Sequence, residues 1–228
     1  STDPARQLRS GTRTSGDTRS ARLRAGMVAF QVALSVFLLV GAGLLIRSFG
    51  ELMGAERGFE TENRLIASTP RPGEYSTQEA TEFMAEFLDR VEALPPVVSA
   101  AAVHIRPLAS GSTGLGFVRP DVPEPEGGTP WASWRLITPG YFETLGVPVL
   151  RGRDFTIDDF RGMAEGAYPT IISQRIADEL WPEEDPLGRT ITLWAGQVDR
   201  PGEIIGVVGD MRERGIEDGP TFAVYFPF

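Results

Sequence analysis

Cysteine and lysine are absent from this 228-residue chain, and histidine occurs once, at His104. Without cysteine there is no disulfide scaffold, no thiolate zinc site and no cysteine nucleophile. Without lysine there is no Schiff-base amine and no phosphate-loop lysine; no G-x-x-x-x-G-K run occurs, so the usual route of ATP hydrolysis is closed to this chain. One histidine argues against histidine-rich metal sites and paired-histidine catalysis. No metal or other cofactor is implied. All 22 basic residues are arginine. The length suffices for one large or two small domains with a real core. The first residue is Ser1 rather than methionine, which points to a fragment or a processed product.

Charge is distributed in three steps. Residues 1–26 carry Arg6, Arg9, Arg13, Arg19, Arg22 and Arg24 against Asp3 and Asp17, a net of +4. Residues 27–46 carry none, and residues 47–228 carry 16 arginines and 29 acids, a net of −13. The uncharged bar reads MVAFQVALSVFLLVGAGLLI, from Met27 to Ile46. Twenty residues at about 1.5 Å rise cover about 30 Å, the hydrocarbon thickness of a bilayer. Only Gln31 and Ser35 interrupt it, and lipid demands a helix because it offers no partner to free backbone groups. A cleaved signal peptide would have an apolar core of about 7–15 residues followed by a small-residue cleavage site; here Arg47-Ser48-Phe49 follows. The arginine-rich side is expected in the cytoplasm and the acidic body outside it. Ala29 and Ala33, with Gly41-Ala42-Gly43 further on, give a small-residue face suited to other membrane helices, and Gln31 could bond across it. The arginines before the span suit anionic lipid headgroups.

The expected organisation is a basic cytoplasmic segment over 1–26, a membrane helix over 27–48, a polar connector over 49–63 and an extracytoplasmic body over 64–228. The body reads as α+β, a mixed α/β domain with βαβ-type units in two lobes, the second inserted at about 106–168. Residues 65–68 read as a short strand. Ser76 and Glu79 form a capping box before a helix whose stripe is Ala80, Phe83, Met84, Phe87, Leu88, Val91 and Leu94. Pro95-Pro96 ends it, and 97–105 reads as a buried strand. Residues 106–130 read as loops or short edge strands, 131–138 as a strand, 141–145 as one helical turn, and 147–150 as extended chain. Residues 168–172 read as a strand, followed by a helix capped by Ser173, with Ile176, Ala177 and Leu180 inward. Three further strands are expected over 190–194, 203–208 and 221–226.

Little in the body resembles chemistry. The glycine-rich run 111–116 lacks the strand–helix context of a nucleotide loop and reads as flexible loop. His104 lies in an apolar run with no acid beside it. Asp154, Asp158 and Asp159 lack calcium-loop spacing and read as a solvated acidic turn. Glu183-Glu184-Asp185 and Glu217-Asp218 read as surface turns. The acidic balance speaks against nucleic acid as a partner.

Several motifs together resemble one family. Residues 138–155, TPGYFETLGVPVLRGRDF, are similar to the SPGYF-x-TLGIPLLRGRDF signature of the MacB-like periplasmic core domain of FtsX-like ABC transporter permeases. Residues 176–189, IADELWPEEDPLGR, resemble its LA-x-x-LWPGEDPLGR segment, and IIGVVGDMR over 204–212 with VYFPF over 224–228 resembles its ending. The entry into the membrane matches too, from Ser20-Ala21-Arg22 through Gln31-Val32-Ala33 to Arg47-Ser48. The subtype this most resembles is the duplicated permease first noted in acidobacteria. Ser173-Gln174 stands where the family often has Asn-Glu, and Glu183 where it often has Gly.

The motif positions read as architecture: Pro139, Gly140, Tyr141, Phe142 and Gly146 as a turn presenting two aromatics; Arg151, Gly152 and Arg153 as a chain reversal; Trp181 and Pro182 as a helix stop with a buried ring; Asp185, Pro186, Gly188, Gly206, Gly209 and Asp210 as tight turns. The resemblance implies a non-enzymatic permease component. A separate ABC ATPase subunit drives motion, further permease helices or a second permease half accompany this segment, and a periplasmic adaptor is the natural outer partner. It also implies the bacterial inner membrane as location and further membrane helices beyond Phe228. Two readings from other classes stand beside it: a single-pass anchored periplasmic enzyme using Asp154, Asp158 or Asp159, and a sensor or adaptor ectodomain.

Overall fold

A helix with no charge for twenty residues and no face to bury has only its own backbone bonds to close, and the first element is such a helix. In the computed structural model, which describes residues 17–54, 57–68, 77–109, 114–122, 128–161, 168–195, 198–215 and 219–228, α1 runs over Asp17–Met53. At about 1.5 Å per residue it is about 55 Å long, well beyond the roughly 30 Å of a hydrocarbon core. The stretch Ser20–Glu51 is long and apolar enough to cross a membrane, and none of it is buried. The helix therefore continues several residues past the expected end of the span. The chain divides into two units, Ser1–Gly54 and Ala55–Phe228.

In the second unit α2 covers Thr77–Glu92, the helix predicted from its apolar spacing. The capping residue Ser76 lies outside the described residues. Strands and helices then alternate: β1 Gly114–Val118, β2 Trp131–Ile137, α3 Tyr141–Leu145, β3 Val149–Gly152, α4 Ile157–Arg161, β4 Tyr168–Ser173, α5 Gln174–Leu180, β5 Thr190–Ala195, β6 Val198–Val208 and β7 Ala223–Pro227. Among the described residues seven strands join one mixed sheet in the order β3-β6-β4-β7-β2-β1-β5, with an added β5–β6 pairing. The pairings thus close a circuit through β6, β4, β7, β2, β1 and β5, with β3 appended to the far half of the long β6. Residues 106–168, set apart in the sequence as an inserted lobe, contribute β1, β2, α3, β3 and α4, and their strands belong to this same sheet.

Alternation along the strands builds two cores. Ile172, Val224, Ile204 and Val207 pack with Ile176, Ala177 and Trp181 of α5. Ile171, Ala223, Tyr225 and Val208 pack with Tyr141 and Phe142 of α3. Neighbours in β4 and β7 fall into opposite cores, the period-two rule of a pleated strand. In β6 the register against β4 jumps from Thr170↔Ile204 to Ile171↔Gly206, a bulge that inserts Ile205.

Three expectations are corrected. Residues 65–68 are not a strand: Leu65 is 93% exposed and pairs with nothing in the sheet. Residues 97–105 are not one either, but lie along β2 by a single bridge, Val103↔Ile137. The reason is that β1 covers only residues 131–133 of that edge of β2, leaving room for a short contact. The strand–helix–strand unit expected around α2 is therefore not formed; the parallel pairings are β4 with β6 and β2 with β7. Finally, Gly114 and Gly116 of the presumed flexible loop lie in β1. Any Cβ there would meet the rings of Trp131 and Trp194, so these glycines make room for neighbouring indoles.

Candidate functional site

The residues that follow α1 grip the body at two places, and the motif residues build both. The first grip is α3. Gly140 has φ 76°, the left-handed conformation that lets the chain enter the helix, and its N–H donates to Asp154 Oδ2 at 3.2 Å. Asp154 Oδ1 also accepts from Phe155 N at 2.7 Å. Burial pushes the Asp154 carboxyl above its usual range, against the pull of these two N–H groups. Tyr141 and Phe142 enter the second core, with Phe142 edge-on to Tyr225 at 4.9 Å. Gly146, at φ 69°, ends the helix: its N–H donates to Glu143 O at 3.0 Å and Val147 N donates to Phe142 O at 2.8 Å, the paired bonds of a Schellman stop. The carbonyls of Leu145 and Thr144, left over at that end, are taken by the connector. Glu60 N donates to Leu145 O at 2.9 Å and Arg64 Nε to Thr144 O at 2.6 Å, while Arg64 also pairs with Glu60 at 2.8 Å. Helix-end carbonyls need donors, and an arginine adds favourable charge at the negative end.

The second grip is the segment after β6. Arg212 N donates to Arg57 O at 3.0 Å. Gly58 has φ +77°, and a Cβ on it would collide with Asp210 O, so glycine is required on both counts. Gly209 N donates to Pro148 O at 3.0 Å, and a Cβ there would press on the Pro148 ring at 3.3 Å. Asp210 Oδ1 accepts from Arg175 N at 2.9 Å, in the first turn of α5. This corrects the expected cap. Ser173 makes no side-chain cap bond; its buried Oγ accepts from Ala223 N at 3.1 Å instead, tying β4 to β7. Asp210, from a distant part of the chain, supplies the acceptor that the orphan donors of α5 need.

The Arg151-Gly152-Arg153 reversal sits on the β6 bulge. Arg153 N donates to the carbonyl of the inserted Ile205 at 3.1 Å. Gly152, at φ +73°, could not carry a Cβ against Ile205 O, nor Gly206 against Arg153 O. Arg153 then clasps Asp159 with two bonds of 2.6 and 2.9 Å, and Thr156 adds two more donors to Asp159. Together they hold the Asp159 carboxyl down at about 2. Arg151 is half-buried in β3. The three acids weighed as a catalytic cluster are thus separate in role: Asp154 holds the α3 entry, Asp159 is clasped by Arg153, and Asp158 lies in the first turn of α4.

The Trp181 motif closes the other core. Trp181 ends α5, is buried, and lies under the Arg119 guanidinium at 5.3 Å. Arg119 also donates to Leu180 O at 2.8 Å and pairs with Asp121 and Glu184, and this guanidinium holds the Asp121 carboxyl at about 2. Pro182 and Asp185 are exposed, Pro186 is buried, and Asp185 Oδ1 accepts from Leu187 N at 3.2 Å. Gly188, at φ +72°, donates its N–H to Ile204 O at 2.8 Å, joining this turn to β6.

Within α1, Met27, Gln31, Ala33, Gly43 and Ile46 are exposed and Gly41 is half-exposed. Ser35 Oγ donates back to Gln31 O at 2.8 Å, which satisfies the hydroxyl inside the helix.

One cluster escaped the sequence reading. Arg135 of β2 and Glu213 are both fully buried, with the guanidinium Nη2 2.9 Å from Glu213 Oε2, a charge contact outside good hydrogen-bond alignment. Tyr225 O–H donates to Glu213 Oε1 at 2.7 Å. Burial pushes the Glu213 carboxyl up, opposed first by Arg135 and then by Tyr225. A signal existed: Arg135 alternates with Ser133 and Ile137 on an inward face of β2, where an arginine must find an acid.

The sequence model of the MacB-like periplasmic core domain matches residues 27–228. No curated protein matches the chain. Among solved structures, the periplasmic region of MacB from Actinobacillus actinomycetemcomitans is 20% identical, covering 63% of this chain and 54% of its own, with a TM-score of 0.39. The extracellular domain of the noncanonic ABC-type transporter YknZ from Gram-positive bacteria is 25% identical over 64% of this chain and 63% of its own, also with a TM-score of 0.39. A domain of a putative permease protein from Porphyromonas gingivalis is 17% identical over 53% and 51%, with a TM-score of 0.33. The chain spans between half and two-thirds of the length of these domains. The match over all but the first 26 residues establishes that the chain belongs to the MacB-like periplasmic core domain family.

Proposed function

We propose that this chain is the extracytoplasmic core domain of an ABC-type transporter permease, together with the membrane helix that drives it. Residues 1–26 lie in the cytoplasm, 27–48 cross the inner membrane, 49–63 connect, and 64–228 work in the periplasm. ATP is hydrolysed by a separate subunit. Motion reaches the body through α1 and the connector, and the body passes it to an outer partner such as a periplasmic adaptor or to the substrate on its way out. Further permease helices, or a second permease half, complete the membrane part. The observation that carries this reading is the double grip on the connector: residues that follow an uncharged helix are bound at once to α3 and to the 210–212 segment. A pulled connector therefore acts on two motif-built elements rather than on a slack tether. The steps from +4 through zero to −13 support the orientation.

A reporter pair fused after Phe228 tests it: alkaline phosphatase active there, and a fluorescent protein dark, is the expected result. A cytoplasmic C-terminus refutes the reading. The enzyme alternative is tested separately, by replacing Asp154, Asp158 and Asp159 with Asn and assaying hydrolysis on a broad substrate panel. The transporter reading expects no activity in either protein.

A further inference from the structure

We infer that the buried Arg135–Glu213 pair is a latch that fixes the 209–213 segment in one place and so sets the second grip on the connector. Every link is a contact already described or adjacent to it. Glu213 is tied by its side chain to β2 through Arg135 and to β7 through Tyr225. Its carbonyl accepts from Leu108 N at 3.0 Å and from Arg135 Nη2 at 3.3 Å. One residue back, Arg212 N holds Arg57 O, and two residues before that Asp210 lies against Gly58. Among the described residues, the titratable groups that act on Glu213 are Arg135 and Tyr225, with Tyr141 of α3 coupled to it through space.

Stability alone does not explain such a pair. Taking two charges out of water offsets most of their attraction, and apolar residues of like volume often do as well. What a buried pair supplies is discreteness. Shifted along its path, the segment would strand two buried charges, so one docked position is sharply preferred over its neighbours. The inference concerns the body alone and stands whether or not the transporter reading holds.

Hydrogen exchange on the full chain in detergent micelles tests it. E213Q keeps the shape and the acceptor for Tyr225 but removes the charge. The amides of Arg212 and Leu108 are expected to exchange at least tenfold faster, while those of Ile172 and Val207 in the sheet keep their protection. Glu60, held by α3, is expected to change less than Arg212. Unchanged Arg212 and Leu108, or a sheet that accelerates by the same factor, overturns the latch. Should E213Q fail to fold, the double variant R135M/E213L restores an apolar filling. Fast exchange at Arg212 over a protected sheet then supports the latch, and protection at Arg212 equal to the parent overturns it.

Discussion

Gly58→Ala is the sharpest probe of the connector grip, because its cost can be worked from two independent sources. Alanine in the left-handed region costs about 1–2 kcal/mol, and Gly58 sits at φ +77°. The added Cβ also meets a backbone oxygen, that of Asp210, which cannot swing aside as a flexible side chain would. Against this stand the bonds that dock the connector. Arg212 N to Arg57 O and Glu60 N to Leu145 O contribute about 1 kcal/mol each. The charged bond from Arg64 to Thr144 O contributes about 1.5–3 kcal/mol. The penalty is of the same order as the grip, so the substitution raises the released fraction at least by the 5- to 30-fold that one or two kcal/mol implies. Trypsin reads this directly, since Arg57 and Arg64 are half-buried cleavage sites in the docked connector. In detergent-solubilised full chain, cutting after Arg57 and Arg64 should accelerate at least fivefold, while the fully buried Arg135 stays uncut. Gly219→Ala is the control: φ is +67° but a Cβ meets nothing, so the same backbone strain arises away from the connector. If Gly58→Ala resists trypsin like the parent, or Gly219→Ala loosens the connector equally, the grip does not work as described.

Other outcomes follow from the same geometry. Phe142→Ala empties a fully buried site between α3 and Tyr225 and should cost about 3–5 kcal/mol, read as a lowered denaturation midpoint. Asp210→Ala removes the acceptor at the start of α5 and should cost about 0.5–2 kcal/mol, with faster exchange at the Arg175 amide. Asp159 has its folded pKa depressed to about 2 by Arg153, so its contribution is present above the unfolded value near 4. That contribution disappears as pH falls from about 4 towards 2, and Asp159→Asn should flatten this part of the thermal-melt profile. Asp154 has the opposite sign: its carboxyl is raised by burial, so protonation on the acid side favours the folded form.

Much of the fold was legible because it is written in local patterns. The apolar bar, the α2 stripe and the short apolar runs of β4 and β5 need only their own neighbours in sequence to be read. The errors came where a distant partner decides. Residues 97–105 have the composition of a strand, yet the edge of β2 offered them only the short stretch that β1 leaves free. Ser173 has the chemistry of a helix cap, but it lies within β4 next to β7, and the buried N–H of Ala223 claimed its oxygen. Asp210 could then take the cap from 35 positions away. No propensity scale contains that exchange.

Three glycines show the same limit. Gly58, Gly152 and Gly206 each lack a Cβ where the backbone of another segment passes: Asp210, Ile205 and Arg153 respectively. A sequence announces that these positions favour glycine, but not which strand or loop lies against them. Two of the three contacts meet at the bulge of β6, and the third meets the segment that leaves β6, so the Arg-Gly-Arg reversal sits on the strand and the connector on the segment that follows it. Backbone against backbone leaves no slack of side-chain rotamers, and a bulge bends the strand that carries it. Asp154 and Asp159, two of the three acids weighed as catalytic, are engaged as acceptors at these junctions, and Asp210 of the family's ending is engaged in the same way.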